Sequence, residues 1–193
     1  MRICLLALIM ASTLCAQQQP ASDETMYSFG TTVFANTGFR GEIYYIEQGA
    51  AKLPDFSKLK SLGTIYTPSL NIPLRDFSEG FPGITDRFEW FAIDYSGRFW
   101  VSTPGEYRFA LASDDGSDLY IDNKRVINND KQHVFLEKTH TMKLKKGVHS
   151  IRVSYFQGPR SHVALVLRVA FPGEQDYRIF HADDFKPPAE PRQ

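Results

Sequence analysis

Five histidines are the first side chains in this sequence that could do chemistry. None of them forms a His-x-x-x-His pair or lies beside a cysteine, so the sequence gives no support for a zinc site. A Gly-x-Ser-x-Gly nucleophile elbow and a glycine-rich phosphate loop are also missing from the sequence. We therefore expect a protein that is not an enzyme. The histidines are His133, His140, His149, His162 and His181.

Carboxylates and aromatic side chains supply weaker candidates. Asp183 and Asp184 could imitate a catalytic pair, although a polar surface turn explains them as well. Glu89 and Asp94 could act as acids only if they share a cleft. Five aromatic residues close together either pack in the core or stack on sugar rings. They are Trp90, Phe91, Tyr95, Phe99 and Trp100.

The size and charge of the chain limit its class. Its 193 residues suit one domain of ordinary size. Lysine plus arginine number 22, as do aspartate plus glutamate, so the formal net charge is zero. Nothing in this balance points to nucleic acid or to an anionic membrane as a partner.

Residues 1–16 have the features of a secretion signal. Met1-Arg2 gives a positive start, an uncharged run from Ile3 to Ala11 follows, and small residues allow cleavage after Ala16. The apolar run is shorter than the roughly 20 residues that a spanning helix needs. No second apolar span follows, so we expect no transmembrane segment in the mature chain. The predicted location is secreted, periplasmic or in the cell envelope.

Both cysteines, Cys4 and Cys15, lie inside this signal. The mature chain would then contain no disulfide, which fits an exported protein that relies on its core. Cys15 could be a lipid-attachment cysteine, but Ser12 and Leu14 do not fit the usual pattern before such a residue.

The elements that must position any site are predicted to be strands. Residues 105–112, 119–121, 151–155 and 163–169 alternate apolar and polar side chains with a period of two. The turn residues Asp122-Asn123-Lys124 indicate a hairpin. These patterns predict an all-β, antiparallel β-sandwich with little helix. The glycine- and proline-rich stretch 64–83 is predicted to be loop, or to contain short elements that the pattern does not reveal.

The order of several short segments resembles the PA14 domain, a β-sandwich module. The most specific segment is Ser-Asp-Asp-Gly-Ser at 113–117, between two predicted strands. The resemblance covers residues 38–171. The remaining segments are predicted to be a signal at 1–16, a polar lead-in at 17–37, and a C-terminal extension with a proline-rich tail at 172–193. Its other segments are 96–99, 104–109, 119–122, His133, 146–149 and 153–156.

The resemblance implies a metal site. Lectins of this family bind calcium and sugar through adjacent aspartates that match Asp114 and Asp115. Neighbouring side chains of a regular strand point to opposite faces, and the lectins bring the two carboxylates together with a cis peptide bond. The same Asp-Gly loop could instead serve only as a turn.

A second loop is expected to shape ligand binding. Sugar-binding relatives place an asparagine there, whereas this chain has Gln157, which is one methylene longer. Arg160, Ser161 and His162 follow as further predicted ligand-binding residues. Arg160 and His162 would suit an anionic sugar or carboxylate. The alternative is an exposed loop with solvated charge.

These observations lead to a functional hypothesis with two rivals. We predict a non-catalytic adhesion or binding module that recognises a carbohydrate or cell-surface glycan with the help of calcium. A structural or protein-interaction module of the cell envelope, without metal or sugar, is the first alternative. An accessory component of a glycan-acting enzyme is the second.

Overall fold

The architecture is a sandwich of two antiparallel sheets, as the alternation predicted. The computed structural model describes residues 38–84 and 87–185. The predicted signal, the lead-in to residue 37 and the proline-rich tail from residue 186 lie outside the described residues. The strands are β1 (Gly38–Tyr45), β2 (Gly63–Thr67), β3 (Asn71–Asp76), β4 (Phe91–Val101), β5 (Gly105–Asp114), β6 (Ser117–Ile121), β7 (Lys124–Asn129), β8 (Leu136–Leu144), β9 (Gly147–Gln157), β10 (His162–Ala170) and β11 (Arg178–Ile179).

One sheet has six strands in the order β2-β1-β4-β9-β6-β7, and the other has the order β11-β10-β5-β8, with β3 added beside β10. Short 3₁₀ helices occupy Phe56–Lys58, Phe77–Glu79 and Ala182–Phe185. No helix in the described ranges is long and apolar enough to cross a membrane.

The core lies between the sheets and contains the side chains that alternation placed there. Phe109 is fully buried, and its strand β5 lies between β10 and β8. Phe81 stacks on Tyr155 with ring centroids 5.0 Å apart. The predicted core is confirmed for Tyr107, Phe109, Leu111, Leu119, Ile121, Ile151, Val153, Leu165 and Leu167, each at most 3% exposed.

Three of the five clustered aromatics are core residues. Phe91, Tyr95 and Phe99 are at most 3% exposed, which agrees with core packing and leaves no open ring face for a sugar. Trp90 and Trp100 are only partly exposed.

The stretch 64–83 is more ordered than a loop. It contains most of β2, all of β3 and the helix Phe77–Glu79. The prediction of loop was therefore wrong for most of the stretch, which has short elements that the sequence pattern did not reveal. The segment before β5 forms one long strand, β4, from Phe91 to Val101.

The packed domain continues beyond residue 171. β11 pairs with the end of β10, and Phe180 and Phe185 stack with ring centroids 4.7 Å apart. Both rings are at most 2% exposed. Residues 172–185 therefore close one end of the sandwich.

Three connections meet at one end of the sandwich. Residues 115–116 join β5 to β6, residues 130–135 join β7 to β8, and residues 158–161 join β9 to β10. The Gly158 backbone N–H and the His133 backbone N–H both donate to the Asp115 carboxylate. The aspartate pair is thus the point where the three loops touch.

Candidate functional site

The aspartate pair lies in a tight connection between two core strands. Asp114 ends β5, and β6 begins at Ser117. The peptide bond between Asp114 and Asp115 is cis, as the resemblance implied. Gly116 has no room for a side chain, because an added Cβ would lie 2.7 Å from the Lys131 carbonyl oxygen and would also meet the Phe156 ring. Asp114 is only 3% exposed and Asp115 only 5%.

Backbone donors hold both carboxylates in place. The His133 N–H donates to Asp115 Oδ1 at 3.1 Å, and the Gly158 N–H donates to Asp115 Oδ2 at 2.8 Å. The Phe135 N–H donates to the carboxylate of Asp114. These donors fix the orientation of two negative charges in a site that little water reaches.

Burial makes these charges costly. Desolvation, and second the negative charge of Asp115, raise the pKa of Asp114 to about 6. Desolvation also raises the pKa of Asp115, while the N–H groups of Gly158 and His133 oppose that rise. A bound cation would offset the repulsion between the two carboxylates.

Gln157 is buried beside the pair, with its amide committed to neighbours. Its Oε1 accepts from the Tyr155 hydroxyl at 2.6 Å, and its Nε2 donates to the His162 carbonyl at 3.1 Å. The same Nε2 lies 3.4 Å from Asp115 Oδ2. In this orientation the amide presents nitrogen, not oxygen, to the aspartates. Gln157 therefore anchors the loop rather than offering a metal ligand.

The single proton of Tyr155 faces two acceptors. Besides Gln157 Oε1, the hydroxyl lies 2.7 Å from the Asp114 carbonyl oxygen. If the Gln157 amide rotated by half a turn, Nε2 could donate to the Tyr155 hydroxyl oxygen. The Tyr155 proton could then be donated to the Asp114 carbonyl oxygen alone. The rotation would also turn Oε1 towards the His162 carbonyl oxygen, so the amide would lose the hydrogen bond that Nε2 donates there.

The other predicted ligand-binding residues divide into two groups. His162 lies near enough for its charge to lower the pKa of Asp114. Arg160 instead pairs with Glu89 at 3.3 Å, and the Ser161 hydroxyl lies 3.0 Å from the His162 ring. The structure thus brings together Asp114, Asp115, Gln157 and His162, while Arg160 contacts Glu89 and Ser161 contacts the His162 ring.

The β7–β8 loop is the part of the site that sequence reasoning missed. His133 and Phe135 contribute through their backbone N–H groups, and a backbone donor leaves no mark in the sequence. The His133 position within the family order was the only available signal.

The remaining acidic candidates do not form a cleft. Asp94 is bound by Arg152 at 2.7 Å, and Glu89 is paired with Arg160. Asp183 and Asp184 are exposed in the helix Ala182–Phe185. Across residues 38–84 and 87–185, no three His, Cys, Asp or Glu side chains are grouped to hold a metal. An ion at the aspartate pair would need further oxygen atoms, since calcium takes six to eight.

The fold and the aspartate loop together define a class of β-sandwich module, which the comparisons with known proteins identify. The sequence model of the PA14 domain matches residues 71–179, more than half of the chain. The chain belongs to the PA14 domain family. A search of curated proteins gave no match.

Solved structures share this fold at low sequence identity. A PA14 sugar-binding domain from an RTX adhesin is 18% identical, with a TM-score of 0.62 over 77% of this chain and 97% of that one. The epithelial adhesin 9 A domain from Candida glabrata, in complex with Galb1-3GlcNAc, is 14% identical, with a TM-score of 0.53 over 77% of this chain and 88% of that one.

A longer protein also contains this fold. An anti-sigma factor domain-containing protein is 22% identical, with a TM-score of 0.60 over 82% of this chain. The present chain spans 50% of that protein's length. At these identities the likeness concerns the fold.

Proposed function

We propose that the protein is an exported, non-catalytic module that binds carbohydrate with the help of calcium at Asp114 and Asp115. The observation that carries this proposal is the adjacent pair of carboxylates, each at most 5% exposed, at the meeting point of three loops. A cation or a proton can compensate two buried negative charges, and at neutral pH a divalent cation compensates them more strongly than a proton does.

The chemistry of the site suits calcium. Calcium is a hard cation that prefers carboxylate, carbonyl and hydroxyl oxygens. Asp114 and Asp115 would hold the ion, and Gln157 would keep the loop in place beside them. Hydroxyl groups of a sugar would complete the shell, so the ion would link the protein to its ligand. His162 would border the bound sugar, and Arg160 and Ser161 would shape the outer part of the loop.

Family membership and fold support this proposal over a catalytic one. Two proteins of the same fold are a sugar-binding domain of an adhesin and an adhesin domain in complex with a disaccharide. The signal predicted at residues 1–16 fits the same role outside the cytoplasm.

One observation favours a protein-interaction module instead. Both oxygens of Asp115 already accept backbone hydrogen bonds, so the loop could be kept for its shape alone. Val134 beside it is 78% exposed, and Phe135 and Leu136 are each 41% exposed. Such an apolar rim suits a protein partner as well as a sugar ring.

A glycan array with and without calcium separates these functions. We expect the wild-type protein to bind a subset of glycans in about 1 mM calcium, a level typical of extracellular sites, and to lose this binding in EDTA. Asp115→Asn should lose it in both conditions. Asp184→Asn, at the other adjacent aspartate pair in the described chain, should behave as wild type. Binding to no glycan in calcium would favour the interaction module.

A further inference from the structure

A second polar cleft lies on the outer face of the six-stranded sheet, away from the aspartate pair. Its volume is about 230 Å³. The floor consists of residues from β6, β7 and β9, among them Asp118, Arg125 and Arg152, and one wall is the segment from Lys52 to Phe56 that follows β1.

The wall is held firmly against the sheet. The Leu53 N–H donates to Asp130 Oδ1 at 2.7 Å. The side chain of Gln132 donates to the Ala50 carbonyl at 2.8 Å. The cleft is therefore formed in the folded domain and needs no rearrangement to exist.

Arg152 is oriented before any ligand arrives. Its Nε donates to both oxygens of Asp94, at 2.7 and 3.0 Å. Its guanidinium carbon lies 5.1 Å from the centre of the Tyr120 ring and 5.8 Å from that of the Phe56 ring. This geometry fixes Nε and leaves the two terminal nitrogens of the guanidinium as donors at the cleft.

Asp118 is an acceptor with unused capacity. Its side chain is 3% exposed, and its Oδ2 accepts from Arg125 and from the Tyr120 hydroxyl, each at 3.1 Å. Its Oδ1 has no hydrogen-bond partner among the described residues. Buried polar atoms normally have one, so Oδ1 is the atom of this lining residue that lacks a donor.

The charges around the cleft balance. The positive residues of the lining are Lys52, Arg125 and Arg152. The negative residues are Asp118 and Asp130 on the lining and Asp94, which pairs with Arg152. Three positive groups and three negative groups favour neither an anion nor a metal ion. They suit a neutral molecule that both donates and accepts hydrogen bonds.

We propose that this cleft is a second carbohydrate site, which binds one neutral pyranose unit without calcium. Each hydroxyl of such a ring can donate to a carboxylate and accept from a guanidinium, and the apolar side of the ring can lie against Phe56 and Leu53. The volume is below the roughly 300–1,000 Å³ of drug-sized sites, which fits a single ring. This site stands independently of calcium at Asp114 and Asp115.

Amide NMR spectra of the ¹⁵N-labelled protein in EDTA test this site. The probes are the methyl glycosides of glucose, galactose and mannose, each titrated to about 50 mM because single-ring binding is expected near millimolar strength. We expect at least one probe to shift amides of β6, β7, β9 and the 50–56 segment. The matching methyl glucuronide, which differs by a carboxylate, should bind more weakly. The proposal fails if none of the neutral probes shifts these amides, or if the glucuronide binds better.

Variants decide whether the shifts come from this cleft. Asp118→Asn should weaken binding about tenfold, since hydrogen bonds to charged groups are among the stronger ones. Lys52→Ala, at an exposed position where folding is not at risk, should weaken it about two- to fivefold. Lys60→Ala, further along the β1–β2 connection and outside the cleft lining, should not.

Asp115→Asn keeps this test separate from the calcium site. It should leave the pyranose titration in EDTA unchanged, whatever it does to glycan binding in calcium. Wild-type affinity in both Asp118→Asn and Lys52→Ala, or loss of binding in Asp115→Asn, overturns the proposal of a second site.

Discussion

Asp114 is the residue whose charge opposes folding when no cation is present. Its pKa is raised to about 6 from an ordinary value of 3.8. An acid with a raised pKa in the folded state favours folding when protonated, so this contribution is present below about pH 4 and is lost as pH rises through 6. In EDTA, the wild-type protein should therefore lose stability over this window.

Asp114→Asn should remove that loss. The variant should be more stable than wild type at pH 7.5 in EDTA by the order of 1–3 kcal/mol, and should show no such gain at pH 4. Urea unfolding at both pH values measures the difference, with Asp184→Asn as the exposed control. An equal effect of Asp114→Asn at the two pH values would show that the charge is not the cause.

Single residues of the site were predictable where a side chain carries the chemistry. Asp114 and Asp115 stood out because two adjacent carboxylates occupy a loop between strands. Gln157 lies beside the pair, but its amide orientation depends on Tyr155 and on the His162 carbonyl. No local pattern encodes such a contact. The ion pair of Arg160 with Glu89 likewise joins two distant segments.

At the level of elements, β5 carries the centre of the sandwich. The side chain of Phe109 is fully buried in the core. Phe109→Ala should cost roughly 3–5 kcal/mol of unfolding free energy, as large truncations in a packed core do. Urea unfolding measures this cost. Val148→Ala on β9, at a side chain 61% exposed, should change stability by less than about 0.5 kcal/mol. Similar costs for the two variants would contradict the assignment of the core.

Central strands were predictable and edge strands were not. β5, β9 and β10 bury one face and so alternate clearly. Within the described part of the chain, β2 has a single sheet neighbour and β3 pairs only with β10. β3 also contains Pro73, a residue that the interior of a sheet excludes. β11 has two residues, too few for a period to appear. These elements depend on long-range pairing that short sequence windows do not contain.

For the whole molecule, the export hypothesis makes a prediction about mass. If residues 1–16 are removed as a signal, the native protein should begin at Gln17 or close to it and should contain no free thiol, because both cysteines lie before that point. Intact-mass measurement of protein from its native source tests this. A mass that includes Met1 would contradict the hypothesis. A mass increased by lipid at Cys15 would show instead that Cys15 is a lipid-attachment cysteine.

Calorimetric titration of the protein with calcium tests the central claim most directly. We expect one ion per chain, with a dissociation constant of about 10⁻⁴–10⁻³ M at pH 7.5, as in other extracellular modules. Because Asp114 has a pKa of about 6, a proton should compete with the ion and weaken binding roughly tenfold at pH 5. Asp115→Asn should abolish the heat of binding and Asp184→Asn should preserve it. No calcium-dependent heat in the wild-type protein, or the same heat in Asp115→Asn, would contradict the account.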